Sequence, residues 1–365
     1  MNQQFSGTVR NFLAPILEHL DDPEVSEIMI NSPQEVWVER RGRLEKTESR
    51  FESEESLMSA VNNIAQFVQR RIDQDTPFMD ARLPDGSRVH AVLPPCARKG
   101  VCLAIRKFPH EELTIDKLVS LGALSQEAVP FLEACVLLKK NILVAGGAGS
   151  GKTSLLNAVS SLIPNHERII IIEDAAELRL QQDHLLSLET KPADKKGKGE
   201  VSIRDLLRSS LRLRPDRIII GEIRSGEALD FLQAMNTGHG GSMGSIHASS
   251  PLETLSRLET LTLFSDVELP INAIRQQISA AINILIQTSR FEDGSRKISH
   301  IAEVCPLEDD EYRVNTIFRF KQTGLDGLGK IEGQLQPTGQ RPAFLDQILT
   351  AGLVLPSQLL NTWEK

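Results

Sequence analysis

The sequence lacks the features that mark several protein classes. Its four cysteines are Cys96, Cys102, Cys135 and Cys305, and none stands in a CxxC pair. A cysteine zinc site is therefore not expected, and scattered thiols in apolar surroundings suit a reducing compartment such as the cytoplasm. No apolar run approaches the ~20 residues that cross a bilayer. The opening Met-Asn-Gln-Gln-Phe-Ser has no basic segment leading into an apolar one, so no signal peptide is expected. Any membrane role then passes through a partner. Aromatic residues are only 4% of the chain, and no basic stripe interleaved with them is present. Asp and Glu outnumber Lys and Arg, 49 to 41, giving a formal net charge of −8. That balance argues against direct nucleic-acid binding. Low-complexity segments and internal repeats are also missing.

What remains is a chain of 365 residues, long enough for about two domains with separate cores. The expected fold class is α/β with a smaller N-terminal α+β domain. Residues 1–107 form that domain, 108–112 a hinge linker, and 113–365 a C-terminal domain. In the first part, Phe12, Leu13, Ile16, Leu17 and Leu20 have helical spacing. Val36–Leu44 reads as a hairpin. Residues 53–71, capped by Ser53, read as an amphipathic helix. Ser87–Leu93 and Val101–Lys107 read as strands. Phe108-Pro109-His110-Glu111-Glu112 is polar and biased away from helix by its proline. Beyond it, short apolar strands alternate with helices. The strands are expected at 141–145, 168–173, 216–221, 243–247 and 282–287, and the helices at 125–140, 152–162, 201–213, 225–236 and 251–262. That alternation predicts a largely parallel, buried sheet. Strands at 298–304 and 311–320 read as a hairpin extension.

The first strand of this domain runs into Gly146-Gly147-Ala148-Gly149-Ser150-Gly151-Lys152-Thr153, followed by Ser154 and a helix carrying Leu155, Leu156 and Val159. This is a phosphate-binding loop in its required strand–loop–helix context. Small residues let backbone N–H groups wrap a β-phosphate, and the helix aims its positive end at the same anion. Lys152 adds a cation for the β- and γ-phosphates, and Thr153 offers a hydroxyl to Mg²⁺. A guanine-reading Asn-Lys-x-Asp motif is missing, and Thr190-Lys191-Pro192-Ala193-Asp194 has the wrong spacing, so ATP is the expected nucleotide.

Two further strands end in carboxylates, Arg168–Asp174 at Glu173 and Asp174, and Arg217–Glu222 at Glu222. Ligands of an open α/β sheet bind at the carboxyl ends of its strands. Glu173 and Glu222 are thus expected to converge on the loop, to orient the attacking water or to hold Mg²⁺. Asp174 and Glu177 are equally suited to capping the next turn. Gly238–Ser242 is rich in small residues and leads through Met243 to His247, so His247 and His239 are candidates for sensing the γ-phosphate. Among the arginines, Arg204, Arg208 and Arg212 recur on one helix face, where a salt-bridged surface is as good a reading as a catalytic one. Arg88 and Arg106, on the two strands flanking Pro94-Pro95, are placed to reach a bound nucleotide. Arg224 follows Glu222 closely enough to link it to a neighbouring strand.

With these residues in hand, the sequence resembles the type II/type IV secretion ATPases, most closely the CpaF-like motors of Tad/Flp pilus assembly. The resemblance runs from Glu27–Asn31 to Pro356. It includes Glu35–Glu39, Leu211–Arg224, Gly226–His239, Phe318–Gly324 and Thr338–Leu345. It implies a RecA-like C-terminal ATPase domain, a homohexameric ring, and ATP held between the two domains. Glu173 then stands in the place of the catalytic glutamate and Glu222 toward Mg²⁺, with a His box over Gly238–His247. Arg88 and Arg106 match N-domain arginines that reach the phosphates. The chain departs from the pattern in having Ser154 for a second Thr and Ser225 for a Gly, and in a short region before residue 20. The four-cysteine insert of type II secretion motors is missing.

The expected function is an ATP-driven hexameric motor that assembles or retracts a pilus. It works on an inner-membrane platform protein from the cytoplasmic face. The alternatives are the motor of a conjugative type IV secretion system, a RecA-like DNA motor, and a scaffold that binds ATP without turning it over. The stretch 318–345 favours the pilus reading.

Overall fold

A computed structural model describes residues 2–83, 85–107, 113–193, 197–327 and 329–363. The hinge expected at 108–112 lies outside the described residues. The chain divides into two compact units, Met1–Glu111 and Glu112–Lys365.

The first unit opens with helices α1 (Asn2–Phe12) and α2 (Leu17–Asp21). The spacing from Phe12 to Leu20 predicts one helix there; instead a short 3₁₀ turn at Ala14–Ile16 separates two. Pro15 within that turn has no N–H to continue the ladder. The strands follow as β1 (Val25–Ser32), β2 (Glu35–Arg40) and β3 (Arg43–Lys46). Helix α3 (Glu54–Phe67) comes next, then β4 (Phe78–Arg82), β5 (Arg88–Val92) and β6 (Cys102–Arg106). Ser53 caps α3 by accepting from Ser56 N, as the sequence predicts. The strands form one antiparallel sheet in the order β3-β2-β1-β6-β5-β4. Alternation places Ile28, Ile30, Val38, Val89, Ala91, Leu103 and Ile105 in a core with Leu57, Val61 and Ile64 of α3.

The second unit begins with α4 (Ile115–Ser120) and α5 (Val129–Leu137). Strand β7 (Ile142–Gly146) leads into α6 (Lys152–Ser160), and then come β8 (Ile169–Glu173), β9 (Leu185–Glu189) and α7 (Ile203–Ser210). Next are β10 (Arg217–Ile220), α8 (Glu227–Asn236), β11 (Met243–His247), α9 (Pro251–Thr262) and α10 (Ile271–Ala281). The unit ends with β12 (Ile284–Arg290), β13 (Arg296–Glu308), β14 (Glu311–Leu325), β15 (Ile331–Pro337), α11 (Leu345–Thr350) and α12 (Ser357–Trp363). Nine strands make one sheet in the order β15-β14-β13-β12-β7-β11-β10-β8-β9. The six strands from β12 to β9 are parallel. Strands β13 to β15 extend the sheet antiparallel, and the expected hairpin is longer than its apolar runs indicate. β7, β8 and β10 are buried along their whole length, as strands covered on both faces must be. Strands β1, β4, β9 and β15 have no clear sequence signal; β9 and β15 are edge strands with mixed exposure.

Candidate nucleotide site

The register of the parallel strands sets the site. His247 on β11 pairs with Gly146 on β7, and Gly146 pairs with Thr288 on β12. On the other side Ile220 of β10 pairs with Ile172 of β8, which puts Gly221 beside Glu173. A Cβ built on Gly221 would lie 2.8 Å from Glu173 Cγ, so a glycine is needed for that approach. The carboxyl edge of the sheet therefore presents Glu173, Glu222, His247, the glycine-rich loop and Thr288 in that order.

The loop has the backbone its sequence predicts. Gly149 and Gly151 take positive φ of 65° and 94°, and Gly151 stands at the N-cap of α6. Ser150 Oγ lies 2.7 Å from Thr288 Oγ1, and both hydroxyls are buried. Lys152 Nζ donates to Gly147 O at 3.0 Å and lies 3.3 Å from His247 Nδ1. Desolvation, followed by the nearby Lys152 ammonium, holds the His247 imidazole below its ordinary pKa. It is thus neutral at pH 7.

His247 Nε2 lies 2.7 Å from Glu222 Oε1, yet out of line for a hydrogen bond. That buried oxygen is left without a hydrogen-bond partner. Glu222 Oε2 accepts from Arg224 Nε at 2.8 Å, and Arg224 Nη1 donates to Asp174 Oδ2 at 2.9 Å. Arg224 does tie the two strand ends together. Glu173 is buried, and its Oε1 accepts from Glu177 N at 2.9 Å and Leu178 N at 3.0 Å. Those backbone bonds aim the carboxylate. Among the described residues, neither Asp174 nor Glu177 stands at the N-cap of a helix.

His239 is not brought to this cluster. The segment 237–242 precedes β11 and so lies at the amino end of the strands, while the loop follows β7 at the carboxyl end. The five-residue length of β11 separates them, roughly 15 Å at strand rise. The small residues there serve another purpose. Arg217 is fully buried, donates from Nη1 to Gly241 O at 3.2 Å, and pairs with Glu167 from Nε at 2.6 Å. A Cβ on Gly241, whose φ is +80°, would lie 1.8 Å from Arg217 Nη1. Arg204 and Arg208 both pair with Asp230 of α8, at 2.7 and 2.8 Å, which is the salt-bridged face.

In the first unit, Arg88 and Arg106 are direct cross-strand partners. Arg82 on β4 pairs with Arg88, and Arg106 pairs with Glu27 on β1. Three arginines therefore stand abreast on one sheet face, an arrangement that favours an anion. Arg82 was not signalled by the sequence; only the register places it in the row. Also unforeseen are Thr288, Arg290 and Arg296 beside the loop. The Asp293-Gly294 turn between two strand signals would have placed Arg290 opposite Arg296.

The residues present fit a magnesium ion bound with nucleotide. Thr153 sits in the first turn of α6, and Glu222 Oε1 is a buried acceptor linked to the neighbouring Lys152 through His247. Among the described residues no group of three or more His, Cys, Asp or Glu would hold a metal by itself. That suits an ion held chiefly by phosphates, a hydroxyl and water. Among the described residues, no helix is long and apolar enough to cross a membrane.

Comparison with known proteins decides the family. The model for the type II/IV secretion system protein family matches residues 11–311. The chain belongs to that family. A putative conjugal transfer protein of Mycobacterium tuberculosis is 35% identical over 311 residues, covering 83% of this chain and 87% of that one. The type IV secretion system protein VirB11 of Bartonella quintana is 31% identical, covering 79% and 91%. The crystal structure of the pilus retraction motor PilT with bound ADP matches with a TM-score of 0.55 at 20% identity, covering 96% of this chain and 88% of that one. The likeness to PilT shows a shared fold, a RecA-like ATPase domain with an N-terminal domain. As a member of the type II/IV secretion family, the protein is an ATPase.

Proposed function

We propose that this secretion ATPase is a hexameric ring motor that drives a Tad/Flp-type pilus machine. It would act on an inner-membrane platform protein from the cytoplasmic side. The observation that carries the reading is the chain of contacts from Lys152 through His247 to Glu222. It joins a phosphate-binding cation to an acceptor with an open lone pair. Lys152, the loop N–H groups and the start of α6 would hold the β- and γ-phosphates. Glu173, fixed by two backbone N–H groups, would accept a proton from the attacking water. Glu222 would hold Mg²⁺ with Thr153, and that ion would neutralise charge on the phosphates. Neutral His247 would sense the γ-phosphate by donating a hydrogen bond. Arg88 and Arg106, joined by Arg82, would contribute the positive charge that phosphoryl transfer needs. Arg88→Ala and Arg106→Ala are expected to lower kcat by about 10²-fold or more while leaving ADP affinity within a few fold. Steady-state hydrolysis with parallel ADP titration checks this, and unchanged kcat in both would remove the arginine row from the mechanism.

The resemblance of 318–345 to pilus motors supports the pilus client. A second reading rests on the relatives at 31% and 35% identity, whose names place them in type IV secretion and conjugal transfer. Deleting the gene separates the two. Loss of surface pili with macromolecule transfer intact supports the first, and the reverse outcome the second. DNA-stimulated hydrolysis would instead point to a nucleic-acid motor. Native mass should report six copies per ring.

A further inference from the structure

The β12–β13 hairpin lies against the outside of the phosphate loop, and no role assigned above uses it. Side-chain and register contacts define the arrangement. Thr288 Oγ1 pairs with Ser150 Oγ at 2.7 Å and lies 3.2 Å from Ala145 O. Arg290 and Arg296 are direct cross-strand partners on either side of the Asp293-Gly294 turn. Arg296 Nε donates to Gly149 O at 2.7 Å. A Cβ on Gly149 would lie 3.4 Å from Arg290 Nη1, and one on Gly151 would lie 3.5 Å from Arg296 Cδ. Both arginines therefore run along the bare backbone of the two positive-φ glycines.

The turn that carries them is itself fixed. Asp293 Oδ1 accepts from Ser295 N and Oγ, and its Oδ2 accepts from Ile331 N at 2.8 Å. Phe291 packs on Phe320 with ring centroids 5.3 Å apart. The arginine stems thus start from a rigid base in β13 to β15.

We propose that Arg296, with Arg290 beside it, is a positioning residue for nucleotide binding that braces the outer turn of the phosphate loop. The physical reason is the trans peptide between Gly149 and Ser150. Its carbonyl accepts from the Arg296 guanidinium, and on its opposite side the Ser150 N–H donates to Gly147 O at 3.4 Å, the carbonyl that Lys152 Nζ also holds, so the brace fixes the turn that positions Lys152. Three of the loop's residues from 147 to 151 are glycine, and such a loop loses much conformational freedom when it closes on an anion. A brace present before the ligand arrives reduces that loss, so it acts on affinity rather than on the chemical step.

This inference rests on the phosphate loop being the nucleotide site, and Lys152→Ala tests that separately. The experiment is ADP binding by calorimetry, together with kcat and KM for ATP, for the full chain. Arg296→Ala is expected to weaken ADP binding and raise KM roughly ten- to hundredfold, the worth of one charge-assisted hydrogen bond. Its kcat at saturating ATP should stay within about threefold. Arg296→Lys keeps a cationic donor and should recover most of the affinity, which a bulk folding defect would not predict. Arg290→Ala should give a smaller loss of affinity. Wild-type affinity in Arg296→Ala would overturn the proposal, as would a fall in kcat with unchanged affinity. If Arg296→Ala does not fold, wild-type affinity in Arg290→Ala overturns it in the same way. If Lys152→Ala binds ADP as wild type does, the loop assignment itself is at fault.

Discussion

Glu222→Gln is expected to bind ATP and lose hydrolysis by about 10²-fold or more, as when a charge-positioning group is removed from a transition state. The reason lies in the two oxygens of this carboxylate. One is held by Arg224, which fixes the side chain. The other is buried, 2.7 Å from His247 Nε2, and without a hydrogen-bond partner. Glutamine keeps the shape but halves the acceptors and removes the charge. It also places an amide where the second oxygen stood, or turns that amide toward Arg224. Either way, the ligand offered to Mg²⁺ is weaker. ATP binding should persist because Lys152 and the loop backbone are untouched. Phosphate release and native mass, measured together, check the result. Normal hydrolysis in the mutant would move the essential acid to Glu173. A silent wild type that binds ATP would support a nucleotide-gated scaffold, or a motor that needs its membrane partner.

Gly241→Ala should destabilise the ATPase unit by about 3 kcal/mol or more, although it lies at the opposite pole from the nucleotide. The added methyl would stand 1.8 Å from Arg217 Nη1 at a φ of +80°. The guanidinium must move, and it is fully buried in a pair with Glu167. Breaking a buried ion pair leaves one charge uncompensated, at a cost of about 3–5 kcal/mol. For a unit of this size that is a fall of roughly 6–20 °C in midpoint. Calorimetric melting checks it, with Gly240→Ala as a control expected to melt near the wild type. A wild-type midpoint for Gly241→Ala would show that the pair is not under the constraint described.

The same pair has a pH signature. Burial pushes the Glu167 carboxyl up, but hydrogen bonds and charge from Arg217 and Lys139 outweigh it and hold the group below its ordinary value. A depressed folded pKa contributes stability that is complete above the unfolded value. That contribution fades as pH falls from about 4.5 through the folded value. The acid limb of the wild-type melting curve should therefore be steeper than that of Gly241→Ala.

The sequence by itself determined the chemistry that is local in the chain. The strand, glycine-rich loop and helix at 142–160 form from contiguous residues, so spacing alone placed Lys152 and Thr153. The apolar strands fixed a parallel sheet, and strand ends marked Glu173, Glu222 and His247, because a five-residue buried strand has only one edge for its polar terminus. The Ser53 cap was equally local. Only the tertiary structure decided what depends on register between distant segments. It placed His239 at the far pole, since the same glycine-rich segment that announces a strand lies at its amino end. It revealed that Gly241 makes room for Arg217, a contact across 24 residues. It also set Arg88 beside Arg106, and Arg296 on Gly149 across 147 residues. Those pairings follow from hydrogen-bond register between strands, which no local spacing encodes.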